Sequence, residues 1–406
     1  MNFPWDNNLA SKRFINLIYG YDFINSASNL EEKKLINSLI YLHTKRIILD
    51  FKASLNSNIS SNELLAVILI NLISKKKESK FFNNVEDLLI KQVDNIGMHK
   101  SYNPVTLAKF INNMNEIKDI LLYFGNSIPN KLNYTILNST SILKQYIHDD
   151  GSIALFNGAN NNYSDQIIKT LNSEEFLKSR TFQYAENGIA FYNDKNKKIF
   201  FDVVQPNSLE ISKNLSAGTL SFEFSALGEK IITNCGASES GGENPEYLRY
   251  SAAHSTIILK NTNISEIKEK NPHIKYPQNV SFEYEDLEDR ISFEGSHNGY
   301  MKRYKKIVRR KLTIVKNLNK IIGEDSIISF ISKSEKTVYH IRFHIMPDII
   351  TNLTNNKKNI ILKTKQNKIW LFKTESEINL EDSIYVDNNS TKQIQQIVIK
   401  GITADN

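Results

Sequence analysis

The chain has 406 residues, more than one hydrophobic core usually holds, so we expect two domains. Its single cysteine, Cys235, excludes an internal disulfide framework and a cysteine-based metal site, and we expect it to be a buried small residue. The net charge of +7 suits an anionic partner, an acidic polysaccharide as well as nucleic acid. The sequence has no phosphate-binding glycine loop, zinc-finger spacing or aromatic RNA-binding signature, so we expect no nucleic-acid partner.

Residues 1–21 lack the apolar core of a secretory signal peptide, so we expect none in this chain. The longest apolar run begins at Leu64 and ends at Ile73, and about ten residues are too few to cross a bilayer. We therefore expect a soluble protein without a transmembrane segment. Short basic runs such as Arg309-Arg310 are interpreted as solvated surface.

Residues 1–150 show the apolar spacing of α-helices. Leu35, Leu39 and Leu42 step along one helical face, and Ser28 with Glu31 has the spacing of a capping box. A longer stripe recurs at i, i+3, i+4 and i+7: Leu107, Phe110, Ile111, Met114, Ile117 and Leu121. We interpret both stripes as core. About six helices joined by short links predict antiparallel helical hairpins.

After residue 150 the apolar period becomes two. IAFYN at 189–193 and IFFDVV at 199–204 predict a hairpin. Further segments of this kind follow between short polar turns: RISFEG, KIVRRKLTIV, SIISFIS, VYHIRFHI, NIILKT, KIWLFKT and QIVIKG. Many short strands without intervening helical periods predict an antiparallel sandwich.

The middle of the chain combines a strand pattern with two residues suited to chemistry. Leu220, Phe222 and Phe224 alternate with polar residues, which predicts a strand with one buried face. Arg249 and His254 follow on a loop ahead of a further strand, STIILK, and loops between strands often carry functional side chains. The alternative is that Arg249 pairs with a surface carboxylate and His254 caps a strand.

Seven segments, taken in order, resemble a known family. They are HxxxNP at 99–104, DDGSIALFNGA at 149–159, AGTLSFEFS at 217–225, NCGA at 234–237, LRYSAAHST at 248–256, SHNGY at 296–300 and RFHIMPD at 342–348. Together they resemble the heparinase II/III-like family of polysaccharide lyases, in particular a bacterial branch of uncertain substrate. The resemblance covers nearly the whole chain.

The resemblance implies an α+β multidomain fold with two parts. An N-terminal α/α toroid, incomplete in this chain, would span 1–150, and a C-terminal antiparallel β-sandwich would span 151–406. This division agrees with the change in apolar period. A positively charged cleft would lie between the two domains, since the implied substrate is a polyanion.

The resemblance also implies a chemistry, β-elimination in a uronic-acid polysaccharide, and residues for it. His254 matches the histidine of the family's AHNT motif, and Arg249 matches an arginine ahead of it. His99 falls on a GGH-type motif. Thr106 stands where active lyases commonly carry a tyrosine, so Tyr102 is the available substitute as base.

A second departure lies at Ser216, where many relatives have a histidine. These two departures keep a second function open, a non-catalytic glycan-binding or envelope-assembly protein with the lyase fold. The family implies the cell envelope or periplasm, and the cytoplasm stays open as a compartment.

Four further residues are candidates for substrate binding: Asn103, Arg342, Tyr300 and His297. Asn103 has an alternative role as a helix cap, because it precedes a proline at the start of the long helical stripe. His99 could merely close the loop before that cap. Arg342 lies in a row with His340 and His344 on one face of a strand, which could equally be a solvated face.

No cofactor is required by this chemistry, although a structural zinc or calcium ion is known from the family. Residues i and i+4 of a strand lie roughly 13 Å apart, so His340 and His344 cannot bind the same metal. His344 with His254 or His297 is the remaining choice for a metal site.

Overall fold

The computed structural model describes residues 5–54, 59–74, 87–88, 91–161, 167, 171, 188–205, 215–238, 245–267, 276–330, 335–387 and 390–403. The chain divides into two compact units. The first consists of residues 1–99, 108–140 and 174–177, and the second of residues 100–107, 141–173 and 178–406. The predicted boundary assigns residues 100–107 and 141–150 to the helical domain. In the structure these residues group with the strand-rich unit instead.

The N-terminal part of the chain is helical, as its apolar spacing predicts. Its helices are α1 (Asn7–Tyr19), α2 (Tyr21–Ala27), α3 (Leu30–Ser54), α4 (Ser61–Ile73), α5 (Pro104–Tyr123) and α6 (Asn130–Gln145). The predicted long stripe on α5 is buried from Leu107 to Leu121. No helix in the described part of the chain is long and apolar enough to cross a membrane.

The interpretation of α3 was wrong in two respects. Its capping box lies one residue later than predicted: the Asn29 side chain accepts from the backbone N–H of Glu32 at 3.0 Å, and the Glu32 carboxylate accepts from the backbone N–H of Asn29 at 2.8 Å. Leu35 and Leu42 are 61% and 52% exposed, so this stripe is not core. A different face of the helix, which includes Ile47, packs inward.

Beyond residue 188 most of the regular elements in the described chain are strands. The strands are β1 (Ile189–Asn193), β2 (Lys197–Asp202), β3 (Phe222–Ala226), β4 (Glu229–Thr233), β5 (Ile257–Leu259), β6 (Val280–Asp286), β7 (Arg290–His297), β8 (Lys306–Val315), β9 (Lys320–Ser329), β10 (Val338–Ile345), β11 (Ile350–Leu353), β12 (Asn359–Lys363), β13 (Ile369–Lys373), β14 (Ile378–Asp387) and β15 (Ser390–Ile402). A short helix, α7 (Met301–Tyr304), precedes β8.

These strands form three sheets in which every pairing within the described chain is antiparallel. The large sheet has the order β1-β2-β3-β4-β10-β15-β14, with β5 also paired to β10. A four-stranded sheet has the order β6-β7-β8-β9, and a three-stranded sheet has the order β11-β12-β13. One apolar cluster takes side chains from all three sheets, among them Phe201, Phe293 and Leu362. The prediction of many antiparallel strands is confirmed.

Candidate active site

The polar face of β3 is buried, contrary to the predicted half-exposed strand. Glu223 has no exposed surface and accepts hydrogen bonds from Lys230 Nζ at 2.7 Å and His148 Nε2 at 3.0 Å. The Thr233 hydroxyl and the backbone N–H groups of Leu155 and Asn234 complete its shell. A segment about 70 residues earlier in the chain therefore covers a face that alternation alone would assign to solvent.

The pKa shifts of Glu223 and His148 determine the charges within this buried cluster. Burial alone raises the pKa of Glu223, but Lys230 and His148 outweigh it and lower that pKa to about 2. Burial and Lys230 lower the pKa of His148. Neutral His148 must donate from Nε2, since the ionised Glu223 only accepts, and its Nδ1 then accepts from the Ser225 hydroxyl at 2.8 Å.

Asn234 links this cluster to the loop that carries His254. Its side-chain carbonyl accepts from the backbone N–H of Ser255 at 2.9 Å, and its amide donates to the carbonyl of Leu155 at 3.2 Å. Asn234 and Glu223 together hold the segment at Leu155 and the segment at Ser255 against the large sheet. The position of His254 is thus set by buried hydrogen bonds rather than by a free loop.

A buried arginine holds the same region from the four-stranded sheet. Arg310 is 1% exposed and makes a two-pronged ion pair with Asp325, at 2.7 and 3.0 Å. Its Nη1 donates to the carbonyls of Leu220 at 2.9 Å and Ser255 at 2.7 Å. The prediction that Arg309-Arg310 is a solvated run was therefore wrong for Arg310, because alternation along β8 points its side chain inward.

The Arg310 contact stabilises an unfavourable backbone. Leu220 has a φ of 62°, in the left-handed region that a bulky side chain rarely adopts. Its N–H donates to the carbonyl of Asp202 at 2.8 Å, and Asp202 N–H donates to the carbonyl of Ser221 at 2.8 Å. Two residues thus oppose one, as in a β-bulge, directly after Gly218.

His254 packs directly on Gly218. A Cβ at position 218 would lie 2.9 Å from His254 Cγ and 3.1 Å from Nδ1, so only glycine fits there. The imidazole is 3% exposed, and neither ring nitrogen has a hydrogen-bond partner among the described residues. Burial lowers its pKa to about 4, so the ring is neutral at pH 7 and able to accept a proton.

Tyr102 lies in a second strained backbone position, at a φ of 51°. The Asn157 side chain fixes it: its amide donates to the Tyr102 carbonyl at 3.3 Å, and its oxygen accepts from the backbone N–H of Ser216 at 3.3 Å. A Cβ at Gly188 would lie 3.2 Å from the Tyr102 ring. Strain of this kind persists only where the surroundings hold it, and it clusters at functional sites.

Asn157 is a residue that the sequence interpretation missed. Asn157 and Gly158 have φ values of 52° and 84°, which form a turn with two left-handed residues. An Asn-Gly pair is the sequence signal for such a turn, and the signal was present in DDGSIALFNGA.

Asn103 caps a helix. Its side-chain oxygen accepts from the N–H groups of Val105 at 2.8 Å and Thr106 at 3.2 Å, and its amide donates to the carbonyl of Asn157 at 3.0 Å. The capping alternative is confirmed. Because both ends of the amide are used, Asn103 is poorly suited to bind substrate.

Arg249 lies beside the segment that precedes Gly218. Its guanidinium donates to the carbonyl of Leu215 at 3.0 Å, and its own carbonyl accepts from the N–H of Ala217 at 2.8 Å. The Ser251 hydroxyl donates to the carbonyl of Ala217 at 2.7 Å. We call residues 215–218 the site segment. Arg249 and His254 both contact it, and Tyr102 is linked to it through Asn157.

His99 belongs to the other unit, where its half-buried ring lies 5.9 Å from the ring of Phe110. A catalytic role for His99 stays a prediction.

Arg342 is an ion-pair partner rather than a free cation, because its Nη1 lies 3.2 Å from Glu381 and 3.1 Å from the Gln396 oxygen.

Tyr300 and His297 are inside the protein. Tyr300 is fully buried and donates to the carbonyl of Thr262 at 3.0 Å, and His297 is 1% exposed and accepts from the N–H of Gly299 at 3.1 Å. Both pack in or beside the apolar core. Both side chains are therefore used within the protein, and their predicted role in substrate binding stays a prediction.

The side chain of His344 does not fit the divalent metal that the resemblance implied. Its Nδ1 lies 2.8 Å from the Ser383 hydroxyl and its Nε2 lies 3.0 Å from the carbonyl of Ala252, so both nitrogens are occupied. Burial lowers its pKa to about 3. Within the described ranges no group of three or more His, Cys, Asp or Glu side chains could hold a metal ion.

Comparison with known proteins gives one family match and two structural matches. Residues 178–406 match the family model described as heparinase II/III-like, C-terminal. A crystal structure of heparinase III superposes with a TM-score of 0.76 at 13% identity, covering 99% of this chain and 68% of that one. A heparan sulfate lyase, HepC from Pedobacter heparinus, gives a TM-score of 0.67 at 13% identity, covering 100% of this chain and 67% of that one. None of the curated proteins matches the chain.

Proposed function

Because the chain belongs to the heparinase II/III-like family, we propose that it cleaves an acidic, uronate-containing polysaccharide by β-elimination. The observation that carries the proposal is that Arg249 and His254 both contact the site segment, to which the backbone of Tyr102 is joined through the Asn157 side chain. The helical unit would be an incomplete α/α toroid and the sheets a β-sandwich, as in the resemblance. A polyanionic substrate of this kind suits a protein of the cell envelope.

His254 is the proposed base. β-Elimination needs an unprotonated group to take the proton from C5 of the uronate, and this imidazole is unprotonated at pH 7 because burial lowers its pKa to about 4. A general base is most effective with a pKa near the working pH, so the proposal requires that bound substrate raises the pKa of His254. The C5–H bond breaks, the C4–C5 double bond forms, and the C4–O bond breaks. The departing oxygen takes a proton from the Tyr102 hydroxyl, so Tyr102 is here the acid and not the base that the sequence suggested. Solvent later restores the proton of Tyr102 and removes the one that His254 took from C5.

Arg249 is the proposed partner of the substrate carboxylate. Proton removal at C5 places negative charge on that carboxylate, and a guanidinium stabilises it by charge-assisted hydrogen bonds. One nitrogen of Arg249 is used by Leu215, and this contact fixes the direction of the side chain. His99 is retained as a proposed contributor from the helical unit.

A second candidate function is favoured by the burial of His254 and by Thr106 and Ser216 at two positions where active lyases carry other residues. The chain would then be a glycan-binding protein without turnover. It would bind a polyanion and leave it intact.

One assay separates the two functions. Purified protein is incubated with a panel of uronate polymers, including heparan sulfate and alginate, and the ultraviolet absorbance of the C4–C5 double bond is followed. The proposal predicts product from at least one polymer. Binding by calorimetry without product from any polymer would support the second function and overturn the first.

A further inference from the structure

The three-stranded sheet presents an apolar and basic face to solvent. Because side chains alternate along a strand, β11, β12 and β13 pack one face against the apolar core through Leu353, Leu362 and Phe372. The opposite face, here called the outer face, consists of Ile350, Ile361, Lys363, Ile369, Leu371 and Lys373. Its four aliphatic side chains are 59%, 38%, 72% and 63% exposed, in chain order. Aliphatic side chains exposed together on three adjacent strands are typical of a binding surface.

The strand register places lysines among these aliphatic side chains. Lys363 lies directly opposite Ile350 on β11 and Ile369 on β13, and Ile361 lies opposite Leu371. Side chains that are directly opposite on one face of a sheet lie about 5 Å apart at Cβ. Basic and apolar groups therefore occupy the same surface rather than two separate ones.

The segment that forms this sheet is strongly basic. Residues 349–374 contain no acidic residue and six lysines, which are Lys357, Lys358, Lys363, Lys365, Lys368 and Lys373. Lys357 pairs with Glu377 at 3.0 Å, and Lys368 lies 3.9 Å from Glu229. The other four lysines form no ion pair with any residue that the structure describes, so their charge is left for a partner.

We propose that the outer face binds the surface of a membrane that contains anionic phospholipid. The aliphatic side chains would enter the boundary between headgroups and acyl chains, and the lysines would contact the phosphate groups. Each lysine close to an anionic membrane is expected to strengthen binding roughly fivefold. This inference is independent of the lyase proposal.

The composition of the outer face favours a membrane over other partners. An acidic polysaccharide could pair with the lysines, but it offers no hydrocarbon layer for Ile369 and Leu371 to enter. A second copy of this chain would set the outer face against the same face, and lysines would then oppose lysines. An anionic membrane supplies both requirements, because its negative headgroups lie directly above hydrocarbon.

The test measures co-sedimentation of the purified chain with lipid vesicles. The wild type should bind vesicles of mixed phosphatidylcholine and phosphatidylglycerol at least about tenfold more tightly than vesicles of phosphatidylcholine alone, and high salt should release it. Leu371→Asn should weaken binding to the mixed vesicles at least about tenfold, and Lys363→Gln about fivefold. Absence of wild-type binding to the mixed vesicles, or equal binding by Leu371→Asn and the wild type, would overturn the proposal.

Matched controls come from two exposed positions outside the outer face. Ile402 on β15 is 63% exposed, like Leu371, and Lys320 on β9 is exposed, like Lys363. Ile402→Asn and Lys320→Gln should therefore bind the mixed vesicles as the wild type does. Equal weakening by Ile402→Asn and Leu371→Asn would contradict the assignment of binding to the outer face.

Two further measurements on Leu371→Asn distinguish the other occupants. Calorimetry follows binding to heparan sulfate and alginate, and light scattering without lipid follows the molar mass. Weaker binding to a polymer with unchanged binding to vesicles would assign the face to the polysaccharide. A wild-type dimer that Leu371→Asn dissociates would assign it to a second copy. Either result would overturn the membrane proposal.

Discussion

At the scale of single residues, His254 is unusual among the buried histidines. His148 and His344 each use both ring nitrogens in contacts of 2.8 to 3.0 Å. His43 and His297 are also buried, and each lacks a partner at Nε2 only. His254 is as deeply buried, and no hydrogen bond to either of its nitrogens is found in the described residues. Buried polar groups are normally paired, so an exception needs a reason, and a ring kept neutral for proton transfer supplies one.

Gly218→Ala tests whether the packing of this ring matters. The added methyl would lie 2.9 Å from His254 Cγ, so the ring or the site segment must shift. We expect a loss of about 1–3 kcal/mol in the free energy of unfolding and, on the lyase proposal, at least a tenfold lower kcat/KM. Urea unfolding and the product assay measure the two effects.

The control for this change is Gly323→Ala on β9. Its Cβ would meet nothing closer than Leu312 Cδ2 at 3.9 Å, so neither stability nor turnover should fall. Equal turnover of Gly218→Ala and the wild type would show that the position of His254 does not limit the reaction.

At the scale of elements, β8 makes a long-range contact beside the site segment. Arg310 reaches across to Leu220 and Ser255, while its charge is balanced by Asp325 from the neighbouring β9. The guanidinium also lies 5.5 Å from the ring centroid of Phe222 and 5.8 Å from that of Phe343. One side chain therefore connects the four-stranded sheet to both segments that flank His254.

Arg310→Met should destabilise the protein strongly. It leaves Asp325 and two buried carbonyls without their partner, and breaking a buried pair costs about 3–5 kcal/mol. Arg309→Met, one residue away, removes a surface ion pair with Glu294 that is worth about 0–1 kcal/mol. Denaturant midpoints of the two variants should differ clearly, and similar midpoints would contradict this account of β8.

The apolar periodicity and the turn residues sufficed to predict most helices and strands. They did not predict which face of each helix or strand is buried by other parts of the chain. KIVRRKLTIV coincides with β8, and VYHIRFHI coincides with β10. The burial of Glu223 could not be predicted, because its cover, His148, is 75 residues away in sequence. The exposure of Leu42 was missed for the same reason, since apolar spacing identifies a face and not its partner.

The candidate site was predictable in part. The loop with Arg249 and His254 was identified from its place between strands, and Asn103 from its cap position. The meeting of Tyr102 with the site segment depends on Asn157, which the residues alone did not single out. The burial of Tyr300, a candidate for substrate binding, was not predicted, because a short motif does not reveal depth.

At the scale of the whole molecule, buried ionisable groups link stability to pH. Burial lowers the pKa of His254 to about 4 and of His297 and His344 to about 3, from an ordinary value of 6.5. Burial raises the pKa of Asp202 to about 7 from 3.8. On unfolding near pH 5, these three histidines bind protons and Asp202 releases one, a net uptake of two from the four groups. The pKa of His148 is lowered by burial as well, so unfolding adds to the uptake there.

Stability should therefore be highest above pH 6.5 and fall as the pH is lowered toward 4. The histidine contribution is lost from pH 6.5 down through their folded pKa values, while Asp202 acts in the opposite direction between pH 3.8 and 7. Two protons correspond to about 3 kcal/mol per pH unit in the free energy of unfolding. Urea unfolding at pH 6.5 and pH 5 measures this change in the free energy of unfolding. Equal stability at the two pH values would contradict the claim that these histidines are buried in the neutral form.

The central claim is that His254 is the base of a β-elimination, and His254→Gln tests it most directly. Wild type and variant are compared for unsaturated product on the uronate polymer that the wild type cleaves, and for unfolding midpoint. The account predicts at least about a hundredfold loss of turnover in the variant with little change in the midpoint, because the substitution breaks no hydrogen bond among the described residues. Turnover retained by His254→Gln, or no product from the wild type on any uronate polymer, would contradict it.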